Sequence, residues 1–379
     1  MSFTVAYYID SQAFGGAEQV LFNLLTKHDR DVWHPVLVYH PSEGITGFVE
    51  RVEDLGVKTL PLPRIRNLRD IRGLKNFAAG LRSIRPRIFH ANLNWILSCT
   101  YGITAAFLSG VKTIVATQHL YGEMETRRET VIQRFISLVV DRYIAVSNDI
   151  ARQLKEDIFF SSKVDVVHNG ILTSDFASTD LRSDYSEQMR REEGKQTRGI
   201  ILTAARLTEQ KGHQYLLKAI PFITGPLFLF AGDGPARDDI EREIKELNIG
   251  DRVRVLGYRN DIPELLSRCS IFVLPSLFEG HPLSIMEAMA AGKPVIASDI
   301  RGVDEIIVNG VSGYLVPPRN PEALASAIRT LLEDKELSGR IAEAGRRRIE
   351  NEFSADTMTN KVTGIYEDLI AQGMNFPAD

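Results

Sequence analysis

Twelve short runs rich in β-branched and aromatic residues punctuate this 379-residue chain, and polar or helical stretches separate them. The first six are "FTVAYYI", "HPVLVYH", "RIFHA", "KTIVATQ", "RYIAVS" and "VDVVHN". The second six, from residue 199 on, are "GIILTAA", "LFLFAG", "RVRVLG", "IFVLPS", "PVIASD" and "GYLVPP". Segments such as "AEQVLFNLLTKH" lie between them, with Val20, Leu21, Leu24 and Leu25 at helical spacing. A strand followed by a helix and another strand must cross over, so the alternation predicts parallel sheets covered by helices. Residues 173–198 are polar and poor in apolar side chains, which reads as a linker. The expected fold is therefore α/β, with two Rossmann-like doubly wound domains facing a central cleft. The first covers residues 1–172 and the second 199–354, and a last helix in 355–379 crosses back to the first. Ligands are expected outside the carboxyl ends of the strands.

Composition narrows the function. A formal net charge of -4 gives no support to nucleic-acid binding. Cys99 and Cys269 stand alone, as small core residues of a cytoplasmic protein would. The start, "MSFTVAYYIDS", lacks the basic and apolar regions of a signal peptide. "WILSCTYGITAAFLSGV" is interrupted by Ser, Thr and Gly, and reads as a buried helix rather than a membrane span.

The chemistry gathers after the apolar runs. Gly15 and Gly16 lie in a turn before a helix, where bare amides can meet an anion, although such a pair is also an ordinary turn. Arg206 and Lys211 in "RLTEQKG" put two cations beyond a strand, suited to a diphosphate or merely solvated. "LFLFAGDGP" and "RVRVLGYRND" end in turns, the second offering Tyr258 to a nucleobase. "SLFEGHPLSIMEAMAAG" places Glu279 and Glu287 eight residues apart, about 80° from sharing a helix face. A helix starting near Pro282 leaves Glu279 in the loop before it, so both carboxylates can approach one ligand. Next to a diphosphate they would repel it, so hydroxyl-bearing rings are their natural partners. His119 follows a strand and is a candidate for a substrate hydroxyl; His90 is a weaker one.

Together these residues resemble the family 4 retaining glycosyltransferases of the GT-B type. The likeness runs from "GGAE" through "VVHNGI", "RLTEQKG", "AGDGP" and "LFEGHPLSIMEAMAAGKPVIAS" to "GVSGYLVPP". It implies that Glu279 holds donor-sugar hydroxyls, Glu287 the nucleotide ribose, and Arg206 with Lys211 the leaving diphosphate. It also implies that Gly16 approaches the donor phosphates, His119 the sugar, and the backbone near Tyr258 the base. Amides of Gly280, His281 and Leu283 would serve the diphosphate and sugar. Three departures stand out: His281 and Pro282 after Glu-Gly, a single His90 in "HAN", and Leu172 where an aspartate usually follows Asn-Gly-Ile.

The resemblance implies transfer of a sugar from a nucleotide diphosphate sugar (UDP or GDP) to a glycan or lipid-linked acceptor. It implies no metal or other cofactor. Asp29-Arg30-Asp31, the one Asp-x-Asp, follows a helix pattern and reads as a solvated turn. Two other readings stay open: a nucleotide-sugar 2-epimerase, and a non-catalytic nucleotide-sugar-binding subunit. Residues 64–87 hold eight Lys/Arg against one Asp, with Leu68, Ile71, Leu74, Leu81 and Ile84 at helical spacing. They read as a basic amphipathic helix that either leans on an anionic membrane surface or simply covers the core.

Overall fold

All twelve apolar runs contain strands, because each is long enough to cross a sheet and apolar enough to be covered on both faces. The structure, a computed structural model, describes residues 2–67, 69–122, 124, 126–176 and 199–374. The described residues up to Gly170, joined by those from Ala355 on, form one unit; Ile171–Ser354 form the other. Of the polar segment 173–198, only Thr173–Phe176 is described, as a 3-10 turn. Its Phe176 packs on the second unit's core, and the rest of that segment lies outside the described residues.

The first sheet contains β1 (Phe3–Tyr8), β2 (Trp33–Tyr39), β3 (Lys58–Pro61), β4 (Ile88–Leu93), β5 (Thr113–Gln118), β6 (Arg142–Ala145) and β7 (Val164–Val166). Their order is β3-β2-β1-β4-β5-β6-β7, and every neighbouring pair is parallel. The strand β3 was not expected. It is a short edge strand, and Pro61 is tolerated there because no further strand needs its missing N–H. The second sheet contains β8 (Ile200–Ala204), β9 (Leu227–Ala231), β10 (Val253–Gly257), β11 (Ile271–Leu274), β12 (Val295–Ser298) and β13 (Tyr314–Val316). It runs β10-β9-β8-β11-β12-β13, also parallel.

In each sheet the chain builds outward from one strand and then returns to its other side. The order therefore reverses between β1 and β4, and again between β8 and β11. Such switch points leave a crevice at the carboxyl ends of the two strands. Residues 9–15 and 94–99 border the first crevice, and 205–212 and 275–282 the second.

Helices α1 (Gly16–Lys27) and α2 (Thr46–Asp54) precede α3 (Ile71–Ile84), which is shorter than residues 64–87. The Asp70 carboxylate accepts from the Gly73 N–H at 2.9 Å and caps the helix there. Arg64, Arg66 and Arg69 consequently stand outside it. Its inner face carries Leu74, Phe77, Ala78, Leu81 and Ile84; Ile71 is exposed, and Leu68 lies outside the described residues. Residues 95–99 are turns, with Leu97 and Cys99 at positive φ, and α4 is confined to Thr100–Ser109. Next come α5 (Arg127–Val139) and α6 (Asn148–Asp157).

The second unit contains α7 (His213–Ala219), α8 (Arg237–Glu246), α9 (Ile262–Arg268), α10 (Leu283–Ala290), α11 (Pro321–Glu333) and α12 (Lys335–Glu352). The last helix, α13 (Ala355–Met374), packs on α1, where Lys27 and Asp356 pair at 3.0 Å. From it Tyr366 enters the first unit's interior, fully buried, and donates to the Tyr7 hydroxyl at 3.1 Å. Tyr7 bonds His28 Nε2, and Tyr366 also bonds His90 Nδ1. His90 Nε2 meets Thr117 Oγ1 at 2.6 Å. With both nitrogens occupied and its pKa lowered by burial to about 3, His90 is a neutral core residue. Its reading as a substrate contact is withdrawn.

Candidate functional site

The second switch point assembles from two loops that fit only because one of them carries glycine. Gly212 has φ +65°, and a Cβ there would stand 2.0 Å from the Pro275 carbonyl oxygen. The Leu277 N–H donates to the Gln210 carbonyl at 2.7 Å, and Gln210 Nε2 donates to the Phe278 carbonyl at 2.9 Å. Clamped in this way, the loop after β8 presents Lys211 to the loop after β11. Lys211 Nζ reaches Glu279 Oε1 at 2.6 Å, and Ser276 Oγ donates to the same oxygen at 2.7 Å. Both side chains are largely buried. Glu279 Oε2 takes no hydrogen bond among the described residues, so this carboxylate keeps acceptor capacity.

Arg206, in the same loop as Lys211, is exposed, and its side chain makes no hydrogen bond or ion pair among the described residues. Its backbone is held firmly. The Ala205 N–H donates to Ala231 O and the Leu207 N–H to Asp233 O, each at 3.0 Å, so the "AGDGP" turn braces it.

Pro282 is the N-cap of α10, one position earlier than a first-turn proline. The helix break stands as the spacing required: Glu279 is in the loop and Glu287 in the helix. No side chain caps α10, so its first amides, beginning with that of Leu283, remain open to an anion. The Gly280 carbonyl lies against Gly302, where a Cβ would approach it to 2.3 Å. His281 turns inward against the Phe353 ring, with centroids 5.4 Å apart. Its imidazole is therefore part of the core.

Glu287 is half-buried, and no hydrogen bond satisfies its carboxylate among the described residues. Burial, with the Asp175 carboxylate adding to it, pushes its pKa up to about 7. A hydroxyl pair donating to it would hold it ionised. Tyr258 is exposed in the turn after β10, at the edge of the sheet.

At the first switch point Gly15 is the N-cap of α1 and Gly16 its first residue, again with no side-chain cap. A Cβ on Gly16 would meet nothing within 4 Å. Beside this space lies a set that sequence reasoning missed: Ser11 donates to buried Glu18, and Asn94 Nδ2 donates to Glu18 Oε1 at 2.9 Å. The "GGAE" motif marked the position of Glu18, but nothing marked Ser11 and Asn94 as its partners. His119 follows β5, its N–H bonded to Leu93 O and its Nε2 3.5 Å from Asn92 Oδ1. Burial lowers its pKa to about 4, so it is neutral and suited to hydrogen bonding rather than charge. Among the described residues no cluster of three His, Cys, Asp or Glu could hold a metal ion, and no helix is long and apolar enough to cross a membrane.

Comparison with known proteins follows the same division. Residues 14–175 match Glycosyltransferase Family 4, and residues 185–348 match Glycosyl transferases group 1. The chain is 27% identical over 370 residues to the UDP-Gal:alpha-D-GlcNAc-diphosphoundecaprenol alpha-1,3-galactosyltransferase of Escherichia coli, with 92% of each chain covered. It is 33% identical to the alpha-D-kanosaminyltransferase of Streptomyces kanamyceticus over 51% of this chain and 53% of that one. Among solved structures, Anabaena HepE in complex with UDP-glucose is similar in fold, with a TM-score of 0.83 and 20% identity over 97% of this chain and 100% of that one. With one family match over each switch point, the chain belongs to the family 4 glycosyltransferases and has their two-domain, Rossmann-like GT-B fold.

Proposed function

We propose that this glycosyltransferase is a retaining enzyme that uses a nucleotide diphosphate sugar, without a metal, to extend a glycan, lipopolysaccharide or glycolipid. The observation that carries the reading is the Lys211–Glu279 pair at the second switch point, with Arg206, whose side chain has no partner among the described residues, on the same loop as Lys211. Breaking the bond from the anomeric carbon to phosphate leaves charge on the diphosphate. Arg206, Lys211 and the open amides of α10 would stabilise that charge as it develops. Glu279 Oε2 would accept a sugar hydroxyl and Glu287 the ribose hydroxyls, with Tyr258 near the base. The acceptor oxygen bonds to the anomeric carbon, and its proton passes to the departing phosphate oxygen. Gly15, Gly16 and His119 are the first unit's candidates for contact with the substrates.

The E. coli relative uses UDP-Gal and a lipid-linked acceptor, so UDP is the first nucleotide to try. Thermal unfolding with UDP, GDP, ADP or CMP tests the reading. A nucleotide at a hundred times its dissociation constant adds about 2.7 kcal/mol. The expected result is a shift with one diphosphate, lost in Arg206→Ala/Lys211→Ala. No shift with any nucleotide, together with no release of diphosphate from sugar donors, would overturn it. Accumulation of an epimerised sugar nucleotide without acceptor would select the epimerase instead.

A further inference from the structure

The helix α5, "RRETVIQRFISLV", packs Ile136 and Val139 on the core but also carries apolar residues on its outer face. Its fully buried residues are the polar Gln133 and Ser137, whereas Val131, Phe135 and Leu138 are 51%, 63% and 46% exposed. An ordinary surface helix keeps its outer face polar. Arg127, Arg128 and Arg134 are exposed on the same face as the three apolar residues, since all six fall within about 120° of arc. The helix's one acid, Glu129, points away from them and closes a capping box with Thr126. Arginines at the first two helical positions also oppose the helix dipole, so local stability does not explain them.

Two more exposed aromatic residues belong to a segment that is bonded to the end of α5. Phe159 and Phe160 are 51% and 50% exposed, and the Phe159 N–H donates to Ser137 Oγ at 3.3 Å. Lys163 Nζ binds the Ser137 and Val140 carbonyls at the end of α5, 5.4 Å from the Phe160 ring centroid.

We propose that this face of α5, with Phe159 and Phe160, docks on an anionic phospholipid surface. Apolar side chains and guanidinium groups sharing one face suit the boundary between acyl chains and headgroups. A second copy of the chain fits poorly, because a two-fold contact across this face would set arginines against arginines. The surface is separate from α3, and the proposal does not depend on the donor reading above.

The test is co-sedimentation of the full chain with vesicles of phosphatidylcholine, alone or mixed with phosphatidylglycerol. Binding to the mixed vesicles is expected, weakening as salt rises. Phe135→Ser/Leu138→Ser should lower partitioning about tenfold or more without moving the unfolding midpoint or the nucleotide-induced shift. Arg127→Gln/Arg128→Gln/Arg134→Gln should lower it about a hundredfold on anionic vesicles. Wild-type protein that stays in the supernatant overturns the proposal, as does Phe135→Ser/Leu138→Ser that binds like wild type. Loss of binding in Arg66→Glu/Arg69→Glu/Arg72→Glu, with the α5 variants unaffected, would move the surface to α3. Lipid-free dimers abolished by Phe135→Ser, with no vesicle binding, would identify a second copy as the occupant.

Discussion

The two switch points have the same topology but use glycine for opposite ends. At the second, Gly212 and Gly302 are filled positions: a Cβ would strike the Pro275 or Gly280 carbonyl. Their absent side chains let two loops touch, and the touching loops create the Lys211–Glu279 pair. At the first, Gly16 faces open space. Here the absent side chain leaves room that the protein itself does not use, next to the open amides of α1. One crevice is thus preassembled and charged. The other is more open and is lined by neutral or internally bonded groups such as His119, Ser11 and Asn94.

The sharpest way to break this contrast is Gly212→Ala. Positive φ and a clash with backbone should cost about 2–4 kcal/mol of the second unit's stability. The displaced Lys211 should lower transfer roughly a hundredfold or more. Urea unfolding and a diphosphate-release assay read the two effects, and a stable, active variant would mean that the loops need not touch.

The next effect is one of sign with pH. Glu287 has a pKa raised from 4.5 to about 7, so protonation favours the folded state. Its stabilising effect is full below pH 4.5 and is lost as pH rises through about 7. Glu287→Gln should therefore raise stability by about 1–3 kcal/mol at pH 8 and by little at pH 4.5, while weakening nucleotide binding. In the first unit, His28 and His90 are lowered to about 4 and 3, so their neutral burial stabilises above pH 6.5 and fails toward those values. Denaturant midpoints from pH 4.5 to 8 separate the two trends. A gain from Glu287→Gln that does not change with pH would refute the assignment.

The smallest effect sharpens the comparison most. Gly16→Ala should change stability by no more than about 0.5 kcal/mol. It should nonetheless raise KM, because the new methyl occupies the space a substrate would enter. An unchanged KM would show that no substrate approaches Gly16.

How much of this was legible beforehand depended on whether a feature is local. The strand runs, the break between Glu279 and Glu287, and the cations Arg206 and Lys211 are properties of short windows. The clamp that joins their loops is not: Gln210 and Phe278 meet across 68 residues, and nothing in either window names the other. His90 looked like a strand-end candidate because its partner Tyr366 lies 276 residues away. The α3 boundary slipped because continuous helical spacing hid the capping role of Asp70. The exposed apolar residues of α5 escaped because pattern reading assumes that apolar residues point inward.

Tyr366 also fixes an order of events during synthesis. Ile171–Ser354 are translated before α13, so the later unit in the sequence has all its residues while the earlier one still lacks its last helix. The earlier unit waits with Tyr7 and His90 lacking their shared partner, although its sheet has long been translated. A released chain that ends near residue 354 would hold a complete second half and an incomplete first. Quality control in the cell would then act on the amino-terminal half of such a chain, although the missing residues are at its other end.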